Sequence, residues 1–405
     1  MKLIKNIIFL VYSSLIFYRI YVLNIPSFIQ IFIYTFLPFI YILKNYGYSI
    51  SILTKQKKEI LVDFIILMIP ILASIIVPML FSTFDFSYFM RFISAFTYFI
   101  GYFSILVYIK KNHNSSSDFL FNLIINITCL YILGTVMLYL IPSLKEFWFS
   151  KIFIGNIQEG LYENHIAYSF RIGWSGFSGF GMTFMCSLSI VLSLYLFNKN
   201  RLTTFLFKII LLLIGNAFYG RVGLLISLLV LITYVIWNLF IKGRFIDLIL
   251  LSVLSLVAFL LILNLRTKSF VIDQWYEWAM SPLKSLFLYG TVNQDVMFNM
   301  YFFPEIRTFL FGDGRYTGLN GGYYMNVDVG YMRPILFYGI FNTIIFYFLI
   351  IKKIFKLSLK DFKEISILLI MIVFLFEIKG EIIFMILPLL FIFRIYINSE
   401  RGIRI

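Results

Sequence analysis

Charge is scarce in this sequence. Asp, Glu, Lys and Arg make up 13% of 405 residues while 61% are hydrophobic, with a mean hydropathy of +0.94. An average soluble domain carries roughly 25% charged residues, and a soluble fold of this length has no interior large enough for so much apolar surface. Cysteine occurs twice, at Cys129 and Cys186, each inside an apolar run, which excludes a disulfide framework. Histidine also occurs twice. His113 lies in a polar KKNHNSSSDF stretch that reads as a solvated loop. His165 has Glu159 and Glu163 beside it but no second His or Cys to complete a metal site. The GDG at 312–314 lacks the Lys-Ser/Thr of a phosphate-cradling P-loop, so nucleotide binding is disfavoured. No repeat relates the two halves, which counts against carriers built on inverted repeats.

What the sequence has is long apolar runs, many reaching the ~20 residues that cross a bilayer as helix. They predict an all-α, polytopic integral membrane protein. Twelve spans are expected near 6–23, 26–43, 60–80, 91–109, 119–140, 173–197, 204–219, 222–241, 246–265, 329–351, 364–377 and 382–397. The first reads as a retained span, since no small-residue cleavage site follows it. With both ends inside, the inner segments hold 21 basic against 7 acidic residues and the outer segments 13 against 12, or +14 and +1 of the net +15. The positive-inside rule therefore accounts for the pI of about 9.5, and no nucleic-acid partner is needed. Lysine-rich inner loops such as 352–364 read as topology signals and contacts to membrane lipids.

The whole chain, 1–405, reads as a single membrane-embedded domain with two enlarged outer loops, 143–171 and 266–328. A loop as long as the second is functional or disordered, and its Trp, Phe and Leu content argues against disorder. Its stretch 271–290 predicts an amphipathic helix at the interface. Arginine marks the outer side: 8 of 13 outer basic residues are Arg, against 5 of 21 inside. Lysine suffices for topology, whereas the planar guanidinium fork grips phosphate through two bonds. Arg221, within tight glycines at 215, 220 and 223, is the sharpest candidate, with Arg171, Arg315 and Arg333 beside it. The segment 312–340 combines glycines, two arginines, Asp328 and the tyrosines Tyr316, Tyr324 and Tyr331. A lipid-borne pyrophosphate sugar would need such a set. Arginines would neutralise the pyrophosphate, aromatics would stack on sugar, and a carboxylate would accept a proton. Asp328, Glu163 and His165 are the candidate bases. The plainer readings are a helix N-cap for Asp328, a surface loop for His165, and a short outer turn for Glu377, Lys379 and Glu381.

The stretches GRVGLL (220–225), FGDGRY and DVGYMRPILFYGI (within 311–340), set in this topology, resemble the O-antigen polymerases of the Wzy type, which share an architecture with the O-antigen ligases. The resemblance implies an inverting membrane glycosyltransferase that needs no metal, nucleotide sugar or other cofactor. Its substrate would be an undecaprenyl-pyrophosphate-linked oligosaccharide, its site would face the periplasm from the bacterial inner membrane, and a chain-length-regulating membrane protein is an expected partner. Ligases carry a His-Asn pair where this chain has Asp328-Val329, which favours polymerase over ligase. A lipid-linked oligosaccharide flippase is the rival from another class. It would bury charge along a central path.

The topology has a direct test. In a background lacking Cys129 and Cys186, single cysteines at Ser285 and Ser51 should react with an impermeant thiol reagent from opposite sides. Labelling of both from one side would break the twelve-span arrangement.

Overall fold

A computed structural model describes residues 2–54, 57–113, 117–153, 171–177, 179–197, 201–242, 276, 299–318, 321–357 and 363–401. Helix dominates the described residues, as expected from apolar runs that have no other internal way to satisfy their backbone in lipid. Among the described residues six helices are long and apolar enough to cross a membrane, or seven if the bent pair Phe28–Lys44 and Tyr46–Thr54 counts as one span. The predicted span 246–265 lies outside the described residues. Those at 6–23, 173–197, 364–377 and 382–397 coincide with helices of 19 residues or fewer.

The chain divides into two compact units, Met1–Gln30 with Phe121–Thr291, and Ile31–Leu120 with Val292–Ile405. In chain order the helices are α1 (Lys2–Tyr18), α2 (Ser27–Ile31), α3 (Leu37–Lys44), α4 (Tyr46–Thr54), α5 (Lys57–Leu80), α6 (Ser87–His113), α7 (Ser117–Leu140) and α8 (Pro142–Phe149). They continue as α9 (Gly179–Tyr195), α10 (Leu202–Tyr219), α11 (Arg221–Lys242), α12 (Ile306–Phe311), α13 (Met332–Leu357), α14 (Lys363–Lys379) and α15 (Ile383–Arg401). A two-residue antiparallel ladder, Ile172–Gly173 with Gly176–Phe177, precedes α9.

In the first unit α9 is the central element. Every residue from Met182 to Leu194 is buried, because α9 is apolar or small on all faces. Its hydroxyls are satisfied locally: Ser187 bonds the Thr183 carbonyl and the Ser227 hydroxyl, and Asn216 donates to Ser227 at 2.7 Å. A Cβ on Gly223 would strike Asn216 and Thr183, so this glycine permits the close approach of α11 to its neighbours. Cys129 and Cys186 are both buried and unbridged.

In the second unit α13 packs on α5, α12, α14 and α15, and α15 packs on α6. At the end of this unit opposite the candidate site, Asp63 ion-pairs with Lys352 and Lys353, and Glu59 with Lys356 and Arg394. Lys353 is 1% exposed. These lysines therefore tie helices together, which corrects the reading of the 352–356 lysines as surface topology signals alone.

The helix α13 is broken. Tyr338 and Gly339 leave helical geometry, with Gly339 at φ +80. The break frees the carbonyls of Leu336 and Phe337, which accept from the backbone N–H groups of Asp313 and Gly314 at 2.8 and 2.9 Å. The GDG segment is thus the splint of a broken helix, held where only glycine fits. A Cβ on Gly312 would enter the Phe337 carbonyl, and one on Gly339 the Leu310 carbonyl.

This predicts a contrast between two glycines that share positive φ. Gly321, at φ +75, has nothing within 4 Å of an added Cβ. Gly321→Ala should therefore cost only the backbone penalty of about 1–2 kcal/mol. Gly339→Ala adds a backbone collision and should lower the melting temperature of the purified protein clearly further.

Candidate functional site

Arg91, Asp328, Arg333 and Glu381 of the second unit gather at one end of its helices. The turn between α14 and α15 carries Glu381, whose side chain is 1% exposed. Its carboxylate accepts from the Tyr88 hydroxyl and from Arg91 Nη1, both at 2.6 Å, and Arg333 Nη1 lies 3.9 Å away. Tyr88 and Arg91 come from the first turns of α6, and Arg333 from the first turn of α13. A buried carboxylate is tolerable only when paired and hydrogen-bonded, and two arginines and a phenol meet that condition.

Arg333 is held on every side. Its Nε donates to the Val327 carbonyl at 3.2 Å and its Nη1 to the Tyr316 hydroxyl at 2.8 Å, while Nη2 bonds the Asp328 carboxylate. The Tyr323 ring lies 3.4 Å from the guanidinium carbon. Arg91 stands over the Tyr316 ring at 4.5 Å. Thr317 and Tyr323 pair as an antiparallel bridge, which returns the chain so that Tyr316 and Tyr323 both reach Arg333.

Asp85 anchors this returning loop. Its Oδ2 accepts from the backbone N–H groups of Tyr316 and Thr317 at 2.8 Å and from the Thr317 hydroxyl at 2.7 Å, while Oδ1 accepts from Ser87. Burial pushes the Asp85 carboxyl up, but the bonds from Ser87, Thr317 and Tyr316 outweigh it and hold it at about 2.

Glu377 braces the other side of the site. It is wholly buried, accepting from the Tyr347 hydroxyl at 2.6 Å and from the N–H groups of Ile382 and Ile383 at the start of α15. Its own carbonyl accepts from Gly330 at 2.9 Å, two residues after Asp328. The reading of 377–381 as a short turn is right for its place, yet both carboxylates are interior.

Asp328 is the open member, with its side chain 44% exposed. Burial raises its carboxyl above the ordinary carboxylate value, by more than Arg333, Lys379 and Arg91 lower it. That suits proton acceptance. It is not a helix N-cap: α13 begins at Met332, four residues on, and the carboxylate is spent on Arg333 instead.

The other predicted residues fall unevenly. Arg315 is exposed, one residue from the cluster. Tyr316 is 7% exposed with Arg91 over one face, so it positions arginines rather than offering an open ring. Tyr324 bonds Asp313, and Tyr331 donates to the Phe374 carbonyl. Arg171 and Arg221 belong to the first unit, where Arg221 opens α11. Glu163 and His165, the part of the outer loop at 154–170, and the stretch 271–290 other than Tyr276 lie outside the described residues. Among the described residues no three His, Cys, Asp or Glu side chains converge as a metal site. The sequence reading missed Tyr88, Asp85, Tyr323 and the central place of Glu381. A signal existed only for Glu381, as one of two carboxylates in FEIKGE between apolar runs.

Comparison with protein-family models, curated proteins and solved structures finds no match.

The Asp85 anchor carries a pH dependence. Its folded value is below the ordinary 3.8, so its contribution is fully present above about pH 4 and is lost as pH falls through about 2. Asp85→Asn should lower the melting temperature at pH 6, and the gap to wild type should close between pH 4 and 2. A gap that persists at pH 2 would count against the anchor.

Proposed function

We propose that this chain is a membrane glycosyltransferase of the O-antigen polymerase kind. It would join undecaprenyl-pyrophosphate-linked repeat units at the periplasmic face of a bacterial inner membrane, within a twelve-span topology. One observation carries the reading: Arg91 and Arg333 converge on Glu381 at one end of an apolar helix bundle, beside the half-exposed carboxylate of Asp328. Fixed cations next to a raised-pKa carboxylate at a membrane edge suit a reaction whose leaving group is an anion.

In this reading the acceptor sugar hydroxyl attacks the anomeric carbon of the donor. The new C–O bond forms as the bond to pyrophosphate breaks, and the electron pair leaves with undecaprenyl pyrophosphate. Asp328 takes the hydroxyl proton. Arg91 and Arg333 bear the charge that develops on the departing oxygens, and exposed Tyr323 offers its outer face to a sugar. Arg171 and Arg221, in the other unit, carry no step here.

A flippase would keep charge along a path through the spans. The ion pairs of the second unit described above sit instead at its two ends, which favours chemistry at one surface.

The test is genetic. Cells lacking the gene should make lipopolysaccharide with a single repeat unit, and the intact gene should restore the ladder. Arg333→Lys should restore it little better than Arg333→Ala, with polymer reduced roughly 10²–10³-fold at normal protein level, because a point charge cannot replace the fork. Lipopolysaccharide with no repeat unit at all would point to a ligase or flippase, and an unchanged ladder to neither.

A further inference from the structure

The four charges of the site cancel: Arg91 and Arg333 face Glu381 and Asp328. An incoming anion finds both guanidinium groups already paired unless one carboxylate yields. The two carboxylates differ sharply in how they are held. Glu381 is sealed at 1% exposure by Tyr88 and Arg91. Asp328 is 44% exposed and hydrogen-bonds Arg333 alone among its site neighbours. Arg333 itself is 6% exposed, and its Nε and Nη1 are spent on Val327 and Tyr316. Nη2 is therefore the nitrogen left for a ligand, and Asp328 covers it.

We propose that Asp328 is an internal stand-in for the substrate's pyrophosphate, displaced from Arg333 when that group binds and thereby released to accept a proton. This rests on the reading above and adds a sequence of events to it. The base is quenched by its ion pair in the empty protein. Donor binding breaks the pair, so the carboxylate becomes available only when the donor is seated. Lys379 and Arg91 also act on the charge of Asp328, so once the released carboxylate has taken a proton, Arg91, Arg333 and Lys379 stand against Glu381 alone at this edge. That balance suits a ligand with about two negative charges. The Tyr323 ring and the Tyr316 hydroxyl hold the guanidinium in place during the exchange, so no rearrangement of Arg333 is needed.

The device predicts a direction opposite to that of an ordinary binding residue. Removing the Asp328 charge should strengthen pyrophosphate binding, because the ligand no longer competes with a tethered carboxylate. Purified full-length protein in detergent would be titrated calorimetrically with inorganic pyrophosphate and with farnesyl pyrophosphate. Asp328→Asn should tighten binding at least about tenfold, since a like charge no longer opposes the ligand. Asp328→Glu, which retains a carboxylate, should stay near wild type, and Asp328→Asn with Arg333→Ala should lose the gain. Tighter binding of the farnesyl probe assigns the site to a lipid-borne group, and equal binding assigns it to the free anion. Equal or weaker binding by a folded Asp328→Asn protein, judged by its melting temperature without ligand, overturns the proposal. So does an absence of binding in every variant. If Asp328→Asn tightens binding yet supports a normal ladder in cells, the stand-in holds and Asp328 is not the base. If binding tightens while cells without the gene make unchanged lipopolysaccharide, the stand-in holds and the polymerase reading falls.

Discussion

In an apolar surround, every charge and every backbone carbonyl must find its partner within the chain, and the second unit is arranged around that constraint. Glu377 is satisfied by a phenol and two N–H groups at a helix start, Glu381 by a phenol and an arginine, and Asp63 by two lysines. Each of these groups would be costly alone. Together they fix the ends of five helices, because their partners come from different elements. The candidate site follows from this arrangement, since the bonds that make Glu381 tolerable also bring Arg91 and Arg333 together.

The same constraint explains the glycine-rich segment. A helix interrupted in mid-course leaves carbonyls without intrahelical donors, and water is not available to serve them. The loop 312–314 supplies the donors, which requires backbone-to-backbone approach on both sides. Its glycines are dictated by contact distance and by positive φ at 312, 314 and 339. The neighbouring tyrosines and Asp85 then add the bonds that hold the returning loop against Arg333.

Much of this was legible in the sequence, in proportion to how local the cause was. Helical character and the burial of Cys129 and Cys186 follow from apolar runs. The grouping of Asp328 with Arg333 follows from a five-residue separation. The ion pairs named here join residues assigned to the same side by charge counting, Asp63 with Lys352 and Lys353 on one and Arg91 with Glu381 on the other. What was hidden depends on long-range pairing. Nothing near Tyr88 or Asp85 in the sequence signals that Glu381, 293 positions away, or the Thr317 hydroxyl would be their partner. Tyr323 looked like one tyrosine among five, and its stacking on Arg333 depends on a bridge between residues 317 and 323.

The interruption at Tyr338 and Gly339 has a mechanical consequence. Beyond it, the segment from Met332 to Phe337 is less than two turns long, and its connection to the rest of α13 is not helical. Its resistance to opening is set by the GDG loop, Asp85 and Glu381 rather than by the long helix below. Local unfolding free energies follow such boundaries. The amides around Arg333 should therefore exchange as a block separate from the rod that runs from Ile340 onward. Arg333 sits on the short side of that boundary, so its hold on the cluster and the integrity of the long helix are set by different bonds.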